Sequence, residues 1–313
     1  MGSPTAPVAV YRKKNVFQSY WQHRQLMLML LPALVFVLVF SYAPMYGLVM
    51  AFQDFQPLNG IAGSPWVGFD HFVEMASGPG FWPVFGNTII ISLFKLLIGF
   101  PAPIILALLL NEIRYKKFKN AAQTITYLPH ILSWVVLSGI VIETLSPSRG
   151  PVNWLLSELG LNPVFFVGSE DWFRQVVVAS SVWRDMGFNA IIFLAAVTAI
   201  DPELYDVAAL DGAGRFQRMI HITLPSILPV IAIMAIFSVG DLINDDFDQI
   251  FNLLNPNVYS VGDVVSTYTY REGLVNMNYS YATAVGLFKN VIAFVLVLGM
   301  NHLAKKTSGQ GIM

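Results

Sequence analysis

Six stretches of this 313-residue chain are each long and apolar enough to cross a lipid bilayer, and that property removes most of the folds otherwise open to it. They run roughly over 26–50, 84–110, 123–145, 174–200, 225–247 and 278–303, and a helix needs about 20 mainly apolar residues to span the hydrocarbon. The stretches lack period-two alternation and are about twice the length of a membrane-barrel strand. A helix satisfies its own backbone groups in lipid. The expected architecture is therefore all-α and integral to the membrane, with six transmembrane helices in one domain over 26–303. Tails at 1–25 and 304–313 flank it. The charged fraction of 12% is about half that of a soluble domain, as expected when much of the surface faces lipid. A net charge of −1 offers no basic surface for nucleic acid. The absence of cysteine excludes disulfides, thiolate metal sites and cysteine nucleophiles.

The polar start with Arg12, Lys13 and Lys14, followed by an apolar run, has the outline of a signal peptide. The run continues through Pro44 to Met50 and no small-residue cleavage site follows it, so it reads as a retained first span. Twelve of the 18 basic residues fall in the N-terminal tail, in the loops after the second and fourth spans, and in the C-terminal tail. The opposite loops hold only Arg149 and Arg271, with Arg174 at a span edge. Basic residues accumulate on the cytoplasmic side, so both termini are expected there. The outer loops, Phe52 to Pro83, Ser146 to Phe173 and Phe251 to Leu274, are each long enough for a short interfacial helix.

The cytoplasmic stretch from Asp201 to Pro225 is the most informative in the chain. Pro202 suits the first turn of a helix, with Asp201 as its cap and Glu203 near the positive end of its dipole. Gly212 and Gly214 permit a tight bend, Arg215 to Leu224 reads as a second amphipathic piece, and Pro225 is expected to open the next span. The result is a compact helix–turn–helix knuckle that a partner can grip. Taken by itself, the same pattern also describes an ordinary amphipathic connector.

The loop resembles the coupling loop of binding-protein-dependent ABC importer permeases, whose pattern is Glu-Ala-Ala, three residues, Gly, nine residues, Ile-x-Leu-Pro. Here the pattern falls on Asp206, Val207 and Ala208, then Gly212, then Ile222-Thr223-Leu224-Pro225, with Asp-Gly-Ala at 211–213 as in the carbohydrate branch. It departs from the pattern by Asp for Glu at 206 and Val for Ala at 207. Tyr42 to Gly47 with Ala51 to Phe55, Phe247 to Asn252 with Tyr268 to Arg271, and Tyr281 to Phe288 are similar to further segments of the polysaccharide and complex-oligosaccharide subgroup. The resemblance covers about residues 25–312. It implies the type I importer permease fold, a second related permease, two ATPase subunits and an extracytoplasmic solute-binding protein. It implies too that the loop, through Glu203, Asp206, Val207, Ala208, Asp211, Gly212, Ala213, Arg215 and Phe216, couples ATP hydrolysis to rocking of the spans. No Gly-x-x-x-x-Gly-Lys-[Ser/Thr] occurs, so ATP and its Mg²⁺ are expected on a partner subunit and no cofactor on this one. A self-contained secondary transporter or channel would instead require paired inverted repeats, which the sequence does not display.

Ionisable groups at membrane depth face a cavity or a partner. Lys95 lies in the second span, Arg184 and Asp185 in the fourth, and Lys289 in the sixth. Arg184 and Asp185 are adjacent, and neighbours on a helix do not face each other, so separate partners are expected. Asn189 follows Asp185 by four residues on nearly the same face. Asp241, Asn244, Asp245 and Asp248 recur at 0, +3, +4 and +7, one helical face near the outer end of the fifth span. Such groups, with aromatic faces such as Trp183 and Tyr281, suit the lining of a sugar path. Two other readings stand for the acidic cluster: interfacial water, and pairing with Lys and Arg of the second permease. Lys95 and Lys289 equally fit snorkelling or helix-to-helix ion pairs. The charge pattern leaves a neutral and a uronate-containing oligosaccharide both open. The five histidines form no His-x-x-x-His pair, so no metal site is expected.

Overall fold

The computed structural model describes residues 24–240 and 245–308. Among them, five helices are long and apolar enough to cross a membrane, and a sharply bent pair makes a sixth. Of the described residues, those up to Val49 form one compact unit and those from Met50 another.

In the first unit, α1 (Arg24–Val37) continues through a wide turn at Leu38–Tyr42 into a tighter helix that begins at Ala43. Leu28, Met29 and Phe36 are exposed, as suits a helix whose surroundings are acyl chains.

The second unit begins with a loop that holds α2 (Asp70–Ser77). Then α3 (Phe81–Gly99) runs into α4 (Pro101–Glu112) as a continuous 32-residue apolar helix, with Pro101 at the joint. The third apolar stretch departs from the single helix expected. It is split into α5 (Lys116–Ile131) and α6 (Trp134–Thr144), which meet at 108°. Leu132 and Ser133 are extended, and Ser133 caps α6 by accepting from the Val136 N–H at 3.4 Å. A capped break satisfies the backbone groups that a bend would otherwise orphan in lipid.

After α7 (Pro151–Glu158) comes α8 (Glu170–Thr198), the central post of this unit. Phe173, Val177, Ala190 and Phe193 on α8 are fully buried. α8 packs on α3, α4 and α5. At Gly187 the approach to α5 is so close that a Cβ would overlap the Thr126 carbonyl. Overpacking a helix contact of this kind costs about 1–3 kcal/mol. Gly187→Leu is expected to lower the thermal-unfolding midpoint of the detergent-solubilised protein. An unchanged midpoint would show that α5 and α8 can separate freely.

The knuckle comprises α9 (Pro202–Leu210) and α10 (Arg215–Arg218). The second piece does not stop before Pro225. It passes through a wide turn at Met219–Thr223 into α11 (Leu224–Gly240), a helix continuous from Arg215. Pro225 therefore lies inside this helix rather than opening it. A proline removes one ladder hydrogen bond and crowds the preceding turn, and the widened turn just before it absorbs that mismatch.

The helix α11 is described as far as Gly240. The described chain resumes at Asp245, and Asp246 adopts a left-handed backbone (φ 43°) before α12 (Phe247–Leu253). Asp245 and Asp248 thus do not share one helical face, contrary to the spacing argument, because the backbone between them is not helical. Asp241 and Asn244 lie outside the described residues. The short helix α13 (Val265–Tyr270) leads to α14 (Tyr279–Ser308), the last span.

Candidate functional site

The polar residues of the spans converge on a cavity of about 310 Å³ between α3, α4, α8 and α11. Lys95, Asp185, Asn189 and Asp246 line it, with Ser92 beside Lys95 and Phe100 and Phe193 among its apolar walls. Of the residues expected on a transport path, Lys95, Asp185 and Asn189 are brought together here.

The Lys95 Nζ donates to Asp246 Oδ2 at 2.7 Å and to Gln249 Oε1 at 2.6 Å. Gln249 is fully buried, and its Nε2 donates to the Val177 carbonyl at 2.7 Å and to Ser180 Oγ at 2.9 Å. The amide is thereby fixed with its oxygen toward the lysine. Nearby, Lys289 Nζ donates to Asp245 Oδ1 at 2.6 Å, and the Ser266 N–H donates to the other oxygen at 2.8 Å. The side chain of Asp245 is 1% exposed, so it is sealed in an ion pair with the last span rather than set on the cavity wall. Asp248 is exposed at the start of α12.

On α8, Arg184 and Asp185 do touch: Arg184 Nη1 lies 3.4 Å from Asp185 Oδ1, because the long arginine side chain folds back along the helix. Each also has the separate partner anticipated. His130 Nδ1 lies 2.9 Å from Asp185 Oδ1, and the guanidinium sits 4.8 Å over the Trp134 ring. The His130 ring stacks on Phe188 at 4.0 Å. These contacts join α8 to both sides of the break between α5 and α6.

Trp183 faces away from the central cavity into a larger one of about 870 Å³ between α3 and α8, which Glu170, Asp171 and Arg174 edge. Tyr281 is buried in an apolar cluster with Met75, Phe81 and Val265, its hydroxyl 3.1 Å from that of Tyr268. In the adjoining loop between the spans, burial pushes the Tyr268 hydroxyl up from its ordinary pKa. The hydrogen bond from Arg271 to the Asp263 carboxylate holds the guanidinium above its own.

In the knuckle, Asp201 caps α9 by accepting from the Glu203 N–H at 3.0 Å. Gly212 takes φ +79°, the Gly212 N–H donates to the Ala209 carbonyl and the Ala213 N–H to Ala208, which closes the helix with a left-handed turn. Gly214 has φ −67° and needs no glycine for its backbone. Tyr205 ties the knuckle to the next span through Thr223 Oγ1 at 2.9 Å. Glu203, Asp206 and Arg215 are exposed, while Ala208, Asp211, Gly212 and Ala213 edge a shallow notch of about 350 Å³. Leu204, Val207 and Leu210 recur every third residue of α9 and all are exposed; with Phe216 they leave a bare apolar ridge. Leu204 and Leu210 escaped the sequence reading, although their spacing on a cytoplasmic helix was the available signal.

A bundle of apolar helices around a small polar cavity, with an exposed apolar ridge on a rigid helical knuckle, defines a membrane permease subunit. The model of the binding-protein-dependent transport system inner membrane component matches residues 99–309. The chain belongs to that family. Over 313 residues it is 41% identical to the polygalacturonan/rhamnogalacturonan transport system permease protein YteP of Bacillus subtilis (strain 168), across 99% of this chain and 98% of that one. It is 42% identical to protein LplB of the same organism over 287 residues, or 92% of this chain and 90% of LplB. Among solved structures it is similar to a chain of a bacterial ABC transporter involved in the import of the acidic polysaccharide alginate. That similarity has a TM-score of 0.86 at 42% identity, covering 93% of this chain and 99% of that chain. A second alginate transporter structure, in complex with an alginate pentasaccharide-bound periplasmic protein, matches with a TM-score of 0.87 at 41% identity, over 95% and 99%.

Proposed function

We propose that this chain is one of two permease subunits of an ABC importer for oligosaccharide fragments of acidic polysaccharides. The observation that carries the reading is the exposed ridge of Leu204, Val207, Leu210 and Phe216 on a knuckle whose shape is set by Asp201 and Gly212. Exposed apolar side chains on a rigid helix favour a protein partner in water, and the resemblance of the loop names that partner as an ATPase subunit. Two such subunits, a second related permease and an extracytoplasmic binding protein complete the assembly. ATP and Mg²⁺ belong to the ATPase subunits. Both termini face the cytoplasm, with tails at 1–25 and 304–313 flanking the permease domain. The cavity that holds Lys95, Asp185 and Asn189 lies on the sugar path. The names of the relatives, directed to polygalacturonan, rhamnogalacturonan and alginate, favour uronate-containing sugars.

The test is ATP hydrolysis by the purified assembly in liposomes, with binding protein, across neutral and uronate oligosaccharides. Stimulation of several-fold by the uronate set alone is expected. Stimulation by neutral sugars alone would overturn the substrate class, and transport by this chain without an ATPase would overturn the importer.

A further inference from the structure

The geometry points to Lys95 as a carboxylate-binding residue of the transport path, held between transport events by Asp246 acting as a resident stand-in for a substrate carboxylate. This rests on the reading of the protein as an importer of acidic oligosaccharides and deepens it to a named pair of residues.

Among the described residues lining the central cavity, Lys95 is the only basic one. Its two partners differ in kind. Gln249 is fully buried and pinned by α8, so it stays whatever enters the cavity. Asp246 is loosely held: its side chain is 38% exposed, and its backbone sits in the left-handed region, which a non-glycine residue occupies at a cost. An incoming carboxylate can therefore take the place of Asp246 on Lys95, which stays paired throughout while Asp246 turns to water. A neutral sugar has no group able to make that exchange and would leave either the ammonium or the strained contact in place.

Ser92 supplies the second, independent observation. It lies one turn before Lys95 on the same face of α3, is 4% exposed and lines the same cavity. Its hydroxyl has no partner among the described residues. Neighbouring Thr88 spends its hydroxyl on the Val84 carbonyl at 3.0 Å, the ordinary fate of such a group within a helix. An unspent hydroxyl three residues from a cation matches a uronate, which presents a carboxylate beside ring hydroxyls. Across the cavity, Asn189 offers an amide for further hydroxyls. The charge of Asp185 is already engaged by His130 and Arg184, so it opposes an entering anion less than a bare carboxylate would.

The experiment measures uptake of tri-galacturonate by the complete transporter in liposomes, with its loaded binding protein. Lys95→Met is expected to reduce uptake by about tenfold or more, and Lys95→Arg to retain most of it, because charge-assisted pairing is what is lost. Asp246→Asn distinguishes the stand-in role from a merely structural pair. If Asp246 competes with substrate, the concentration for half-maximal uptake falls by a few fold. If Asp246 only braces Lys95, that concentration rises, as in Lys95→Met, and the proposal is overturned. Wild-type uptake by Lys95→Met would overturn it too, while leaving the importer of acidic sugars standing. Failure of the wild-type transporter to move any uronate, with neutral sugars moved instead, would overturn both. Asp246→Asn leaves the Lys95 ammonium an amide oxygen to donate to beside that of Gln249, so it keeps the test decisive even where Lys95→Met fails to assemble.

Discussion

Gly212→Pro is expected to lower substrate uptake by about a hundredfold, equivalent to ~3 kcal/mol of coupling between the ATPase and the spans, while the protein still inserts into the membrane. Gly212 holds φ +79° and its N–H donates to the Ala209 carbonyl at 3.1 Å. Proline fixes φ near −65°, lacks the N–H and disfavours the helical conformation of the residue before it, here Asp211 at φ −76° and ψ 3°. The left-handed turn that closes α9 cannot then form, and the ridge of Leu204, Val207 and Leu210 loses its fixed relation to Phe216 on the next helix. Gly212→Ala is the control. Its Cβ would meet open space, so only the backbone strain of roughly 1–2 kcal/mol remains, and partial uptake is expected. The readouts are the amount of protein in the membrane fraction, sugar uptake, and ATP hydrolysis stimulated by loaded binding protein. Normal uptake by the proline variant would place the coupling element elsewhere.

The parts of the molecule legible from the sequence are those set by local chemistry. The spans follow from runs of apolar residues, and the cap at Asp201 and the turn at Gly212 from the few residue types that can fill them. What was hidden depends on partners distant in the chain. The break between α5 and α6 falls at Leu132 and Ser133, just after Pro129 and His130, and reading 123–145 as one apolar run passed over that proline. Pro225 looked like a helix start because the widened turn at Met219–Thr223 that accommodates it has no sequence signature. The acidic stripe presumed a helix running through to Asp248, and the left-handed backbone at Asp246 interrupts it before α12.

For the candidate site, Lys95, Asp185 and Asn189 were legible as polar groups in apolar spans, and they do share a cavity. The contacts that define it were not. Lys95 and Asp246 are 151 residues apart, and Lys289 and Asp245 are 44 apart. Gln249 and Ser92 carry no charge and drew no attention. The position of Ser92 at i−3 from Lys95 was the signal that could have found it. Tyr281 and Trp183 were assigned by residue type, and residue type does not reveal which side of a helix is packed.

Lys289→Met is expected to destabilise the protein by about 3–5 kcal/mol, because it strands a carboxylate that the fold has sealed from water. Asp245 has 1% of its side chain exposed, and without the lysine its remaining donor is the Ser266 N–H at 2.8 Å. On a chain of this size, the midpoint of thermal unfolding should fall by roughly 10 °C. Adding Asp245→Asn should restore most of that loss. The asparagine amide oxygen can still accept from Ser266, and no buried charge is left behind. This sign pattern, a harmful single change corrected by a second change at its partner, separates a charge effect from simple loss of packing around α14. Stability alone does not say whether the pair also serves transport. It ties the last span to the irregular segment at Asp245 and Asp246, next to the cavity, so uptake by the stable double variant decides the matter. Uptake near the wild-type level would make the pair a static staple between α14 and the start of α12. A stable double variant that no longer transports would mean that the charges themselves are used as the spans move.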